Sequence, residues 1–174
     1  MLFRSEYDHQ RKKTMIKLIL LDIDGVLTDG KATIDSHGNE YKTINFKDID
    51  AIFEMKRQKL LVGLITGENT PITLVFKERF KPDFFYNGCK NKILALQKII
   101  DKTGLSADAI CYLGDSKHDV DVMKAVKFSA CPSNASSEVR ELAAIKLSAR
   151  GGEGCVWELL EWIVKNQEND DNAA

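Results

Sequence analysis

Residues Ile16 to Leu21 are apolar except for Lys17, and the run stops abruptly at Asp22-Ile23-Asp24. So short and nearly uncharged a run reads as a strand buried on both faces, which calls for a parallel sheet covered by helices on each side. Carboxylates at i and i+2 on the end of a strand share one face. Such a pair costs repulsion and desolvation unless a cation or a proton offsets it. A divalent metal, a nucleophilic carboxylate and a proton-handling neighbour together meet that requirement.

The rest of the chain repeats the theme. Strands are expected at 16–22, 60–65, 84–86, 110–113 and 127–130, and helices at 50–58, 70–79, 91–103, 119–125, 136–143 and 154–166. This alternation predicts an α/β fold, a Rossmann-like three-layer sandwich with a mainly parallel sheet. The exception is 31–46, where KATI and YKTINF flank Asp35-Ser36-His37-Gly38-Asn39-Glu40, an inserted β-hairpin after the first strand. The length of 174 residues suits a single domain over 15–166. Residues 1–14 are polar and aperiodic, as expected of a flexible arm, and 167–174 are expected to be a disordered acidic tail.

Composition narrows the function. Net charge is −1 with no basic tract, which argues against nucleic acid or an anionic membrane as partner. No apolar run approaches the roughly 18 residues of a membrane span, and a cytoplasmic protein is expected. Cys89, Cys111, Cys131 and Cys155 are widely spaced without a CxxC pair, so free thiols are expected rather than disulfides or structural zinc.

The first strand runs into Asp22, the second into Thr66-Gly67 and the fourth into Gly114-Asp115. Ligands of open α/β sheets bind outside the carboxyl ends of the strands. Three strands therefore deliver acids and a hydroxyl to one edge, and Lys92, opening the next helix, reaches the same place. Acids hold Mg²⁺ through oxygen, while hydroxyl and ammonium suit phosphoryl oxygens, so the set points to phosphoryl transfer. Singly, each residue has an ordinary structural reading. Thr66 suits a turn, Lys92 a solvated helix and Asp119 a helix cap, but capping does not require the Asp22–Asp24 pair.

Asp22-Ile23-Asp24-Gly25-Val26-Leu27-Thr28-Asp29-Gly30, Thr66-Gly67, Asn91-Lys92, Gly114-Asp115-Ser116-Lys117-His118-Asp119 and Gly151-Gly152-Glu153-Gly154 occur in this order. Together they resemble the motifs of the haloacid dehalogenase superfamily, in its small cap-less group of sugar-acid phosphate phosphatases. The resemblance covers residue 16 to about 164. It implies that Asp22 attacks phosphorus to give an aspartyl-phosphate, and that Asp24 protonates the leaving oxygen and then activates water. It further implies that Asp22, the Asp24 carbonyl and Asp115 hold Mg²⁺. Thr66 and Gly67 would bind the phosphoryl group with Lys92, and Asp119 would orient Lys92 or a metal-bound water.

The implied substrate is the phosphate monoester of a 2-keto-3-deoxy sugar acid, of the 3-deoxy-D-manno-octulosonate 8-phosphate type. Relatives specific for that eight-carbon acid often carry arginine after Thr-Gly and in the glycine-rich tail, where this chain has Glu68 and Trp157. Lys47 and Asp48 then become candidate substrate contacts, and a nine-carbon nonulosonate 9-phosphate is the alternative substrate. The resemblance also implies a homotetramer closed by the hairpin and the tail, and Ile34, Tyr41 and Ile44 have no evident core partner in one domain. Two other classes are weighed. A response-regulator receiver would place its phosphoacceptor before Thr and Lys, whereas Gly114-Asp115 follows both Thr66 and Lys92. A catalytically silent relative kept for assembly would not need the full residue set.

Overall fold

Leu18–Leu21 form strand β1, and none of the four exposes any surface. The computed structural model describes residues 15–171, so the expected arm over 1–14 and the last three residues lie outside the described range. Beyond β1 come a hairpin of β2 (Thr33–Ile34) and β3 (Glu40–Tyr41), helix α1 (Phe46–Arg57), β4 (Leu61–Ile65) and α2 (Pro71–Phe80). Then follow β5 (Phe84–Tyr86), α3 (Lys92–Thr103), β6 (Ile110–Leu113), α4 (Val120–Ala125), β7 (Phe128–Cys131), α5 (Ser137–Leu142), β8 (Ile145–Lys146) and α6 (Cys155–Asp171).

Six strands form one sheet in the order β5-β4-β1-β6-β7-β8, with every pair parallel. Alternation along β1 feeds two cores. Ile19 and Leu21 pack with Ile52 and Met55 of α1 and Leu159 and Ile163 of α6, while Leu18 and Leu20 pack with Leu96 and Ile99 of α3 and Val122 of α4. The expected Rossmann-like α/β sandwich is therefore the fold. After β5 the chain crosses back to β6, so the order reverses between β1 and β6. That switch point opens the crevice in which such sheets bind ligands.

Boundaries moved where caps or packing outweigh periodicity. Helix α1 starts at Phe46 rather than 50 because the Asn45 side chain accepts a hydrogen bond from the Lys47 amide at 2.8 Å. Val156, Leu159, Leu160 and Ile163 bury one stripe of α6, each adding about 1.5–3 kcal/mol. Anchored by this stripe, α6 continues to Asp171, past the expected end at 166. The edge strand β8 was absent from the expectation, since two residues carry no period. The hairpin strands are equally short, and the turn is organised by Asp35, which accepts bonds from the His37 and Asn39 amides at 2.8 and 2.9 Å. Ile34 and Tyr41 are exposed, as expected, but Ile44 packs against the core and pairs with Thr28.

Candidate active site

Strand β1 ends at Leu21, one residue before Asp22, whose amide donates to the Leu113 carbonyl at 3.0 Å. The chain then turns, with the Val26, Leu27 and Thr28 amides all donating to the Ile23 carbonyl. It is this turn, rather than strand alternation, that brings both acids to one cleft. Asp22 is almost fully buried and accepts from its neighbour's amide at 2.8 Å and from Lys92 Nζ at 2.9 Å. Asp24 is held apart from it by another cation, with Lys42 Nζ at 2.9 Å and Thr28 Oγ1 donating at 3.2 Å.

Thr66 follows β4 directly, is buried, and accepts the Glu68 amide on its hydroxyl at 3.1 Å. Lys92 opens α3, and its buried ammonium spans Asp22 at 2.9 Å and Asp119 at 2.7 Å. Asp119 exposes no surface. One of its oxygens takes Lys92 and the Tyr112 hydroxyl (2.6 Å), and the other takes the Asp115 and Ser116 amides at 3.0 Å. Asp119 is therefore both a cap, as its structural reading anticipates, and the partner of Lys92.

Asp115 Oδ1 is buried without a hydrogen-bond partner. Carboxylate oxygens of Asp22, Asp115 and Asp119 lie within 4.8 Å of one another, with Lys92 the cation among them. Burial pushes Asp22 above the usual carboxylate range; Lys92 opposes this, while Asp119 and Asp115 add to it. Burial, reinforced by Asp119, raises Asp115 to about 6. Burial also acts on Asp119, but Lys92, Tyr112 and the Ser116 amide outweigh it and hold it below the usual range. Lys92 keeps its charge because its two acids outweigh its own burial. Three crowded acids, one ammonium and one orphaned oxygen fit a divalent cation bound through oxygen. Asp119 is saturated with donors, which leaves Asp22 and Asp115 as the side chains free to bind it. Gly25 makes room for this arrangement, because a Cβ there would lie 2.0 Å from Asp115 Oδ2.

Asp22, Asp24, Thr66, Lys92 and Asp115 line a cleft of about 430 Å³ together with Gly67, Glu68, Lys90, Ser116 and His118. Lys47 and Asp48, expected to contact substrate, do not line it. Lys47 is exposed beside Gly154, and the buried Asp48 carboxylate accepts the Gly154, Val156 and Trp157 amides at 3.0, 2.8 and 3.3 Å, capping α6. An acid in the first turn of α1 gave no sign of a partner more than a hundred residues away. The glycine-rich tail is neither a free loop nor part of the cleft lining: a Cβ on Gly151 would fall 1.8 Å from the Gly25 carbonyl oxygen. Lys42, Tyr112, Lys90 and His118 were not anticipated in the site. Lys42 and Tyr112 sit on strand-like segments with no local motif.

A family model for haloacid dehalogenase-like hydrolases matches residues 70–154. The chain is 32% identical to a solved structure described as a probable YrbI-family phosphatase from Pseudomonas syringae, covering 92% of this chain and 91% of that one with a TM-score of 0.86. The chain belongs to the haloacid dehalogenase-like hydrolases. Within that family it is a phosphatase, and its acid cluster suits the family's Mg²⁺. A 3-deoxy-D-manno-octulosonate 8-phosphate phosphatase from Moraxella catarrhalis, solved with magnesium, phosphate and the sugar acid, is 26% identical at a TM-score of 0.85, with 91% of each chain covered. Among curated relatives, the Escherichia coli phosphatase for the same ester is 28% identical over 95% of this chain and 88% of its own. N-acylneuraminate cytidylyltransferase B of Danio rerio is also 28% identical over 94% of this chain, which spans only 39% of that protein.

Proposed function

We propose that this protein hydrolyses the phosphate monoester of a 2-keto-3-deoxy sugar acid through an aspartyl-phosphate on Asp22, with Mg²⁺ as cofactor. The observation that carries the reading is the pairing of Asp22 with Lys92 beside the unpartnered oxygen of Asp115, at the switch point of the sheet. Asp22, Asp115 and the Asp24 carbonyl would hold Mg²⁺, which when bound supplies positive charge against the phosphoryl oxygens.

Asp22 Oδ attacks phosphorus and the bond to the sugar oxygen breaks, with Asp24 giving that oxygen a proton. Asp24 then takes a proton from water, whose oxygen attacks phosphorus, breaks the Asp22–phosphorus bond and releases phosphate. Thr66 and the backbone around Gly67 donate to phosphoryl oxygens, and Lys92 neutralises charge that builds on them and on Asp22. Asp119, fixed by its amide donors, holds Lys92 in place.

A sugar carboxylate calls for a cationic partner. Lys90 is an exposed residue lining the cleft and takes the part expected of Lys47, while His118, also exposed on the cleft, can donate a hydrogen bond. Glu68 lines the cleft where relatives specific for the eight-carbon acid often carry arginine, and this supports the nine-carbon 9-phosphate as a second reading. We infer also a homotetramer, supported by the exposure of Ile34 and Tyr41 on the hairpin.

Phosphate release from eight- and nine-carbon keto-acid phosphates, neutral sugar phosphates and nucleotides tests the reading. One of the keto-acid esters should give the highest kcat/KM, and Asp22→Asn should abolish turnover. Nucleotides as the best substrates would refute the substrate class.

A further inference from the structure

Resting on the phosphatase reading, we propose that Lys42 is a positioning residue for Asp24, through which the β2–β3 hairpin controls proton delivery to the leaving group. Lys42 directly follows β3, and its ammonium lies 2.9 Å from each oxygen of Asp24 and 3.1 Å from Glu40 Oε1. The lysine side chain is only 6% exposed, while the two acids remain 28% and 30% exposed. Most surface ion pairs are worth little, because both side chains keep their freedom and their water. Here a long, flexible lysine has given up both, a cost that needs a return.

The return is control of one rotamer. Asp24 stands on a turn at the rim of the cleft, out of reach of the Lys92 network that fixes Asp22. Its carboxylate is clamped instead between the Lys42 ammonium and the Thr28 hydroxyl. Both clamps are rooted in the same hairpin, since Thr28 bridges to Ile44, two residues beyond Lys42. Two-residue strands cannot sustain a hairpin alone, so the hairpin is docked on the body where it grips Asp24. Proton transfer tolerates little error in heavy-atom placement. Asp24 enters the first step as the carboxylic acid, with one oxygen carrying the proton while the other stays on Lys42, and freed of this clamp it would spend much of its time misaligned. The ammonium acts through Asp24 and needs no contact with substrate.

Leaving-group dependence separates this role from a merely structural one. Alkyl oxygens need a proton to depart, whereas p-nitrophenolate leaves without one. Since kcat/KM reports the steps up to the first irreversible one, it isolates transfer to Asp22. In Lys42→Gln, kcat/KM for the sugar-acid phosphate should fall about ten- to a hundred-fold further than kcat/KM for p-nitrophenyl phosphate. Lys42→Arg should restore most of the difference, and in an Asp24→Asn background Lys42→Gln should add no further loss. A partly unfolded variant would lower both esters equally, so their ratio is its own control. Equal losses for the two esters, no loss, or an additional loss on top of Asp24→Asn would overturn the proposal while leaving the phosphatase reading standing. A wild-type protein that releases phosphate from neither ester would overturn both.

Discussion

At the scale of single residues, two neighbouring carboxylates acquire different surroundings and with them different chemistry. Asp22 lies buried against an ammonium, whereas Asp24 lies at the rim in the grip of a lysine from an inserted hairpin. The crowding around Asp115 has a measurable pH consequence. Its folded value of about 6 stands above the ordinary 3.8, so below 3.8 its contribution to stability is fully present. As pH rises from 3.8 through 6, the unfolded chain sheds a proton that the folded protein retains, and metal-free stability falls. Mg²⁺ competes with that proton, so its benefit grows in the same window. The rise in melting temperature produced by saturating Mg²⁺ should be clearly larger at pH 7.5 than at pH 5. An equal rise at both would show that Asp115 does not bind the metal. The motif residues were legible because their types and spacing suit one chemistry. Tyr112 and Lys42 were not, because each meets its acid only through folding.

At the scale of elements, the recurring device is a loop braced by a distant segment. The Asp22–Gly30 loop carries the two acids proposed as catalytic, and the glycine-rich segment before α6 packs directly against it. That segment is in turn tied to α1 by Asp48, which accepts three amide hydrogens from residues 154–157. Asp48→Ala leaves buried donors unpaired and should lower unfolding free energy by about 2–3 kcal/mol, read from urea denaturation. KM for p-nitrophenyl phosphate should be unchanged in this variant, and a raised KM with intact stability would restore Asp48 as a substrate contact. Five of the six sheet strands were readable from the sequence nearly to the residue, since buried parallel strands are unbroken apolar runs, while the two-residue β8 was not. Helix starts were less so: α1 begins where Asn45 caps it, four residues before its apolar pattern becomes evident.

At the scale of the whole molecule, the described residues form one sheet with a helical layer on each face, and nothing on the order of a separate cap domain covers the cleft. Ile34 and Tyr41 of the hairpin and Phe46 and Phe53 of α1 are large exposed apolar side chains, which the proposed homotetramer would cover. Light scattering on an eluting peak should give the mass of four 19.6-kDa chains, and a monomer at micromolar concentration would remove the tetramer. Among the described residues no helix is long and apolar enough to cross a membrane. The amino-acid order alone determined the α/β alternation, the strand ends and the acids proposed as catalytic, because periodicity, buried runs and motif spacing are local properties of a chain. What only the tertiary structure decided is which cation each acid meets, that Asp48 caps a helix and does not line the cleft, and that the glycine-rich tail braces the Asp22–Gly30 loop. Those outcomes depend on groups from 18 to more than a hundred residues apart, whose pairing is set by how helices and hairpin pack on the sheet and leaves no periodic trace in the chain.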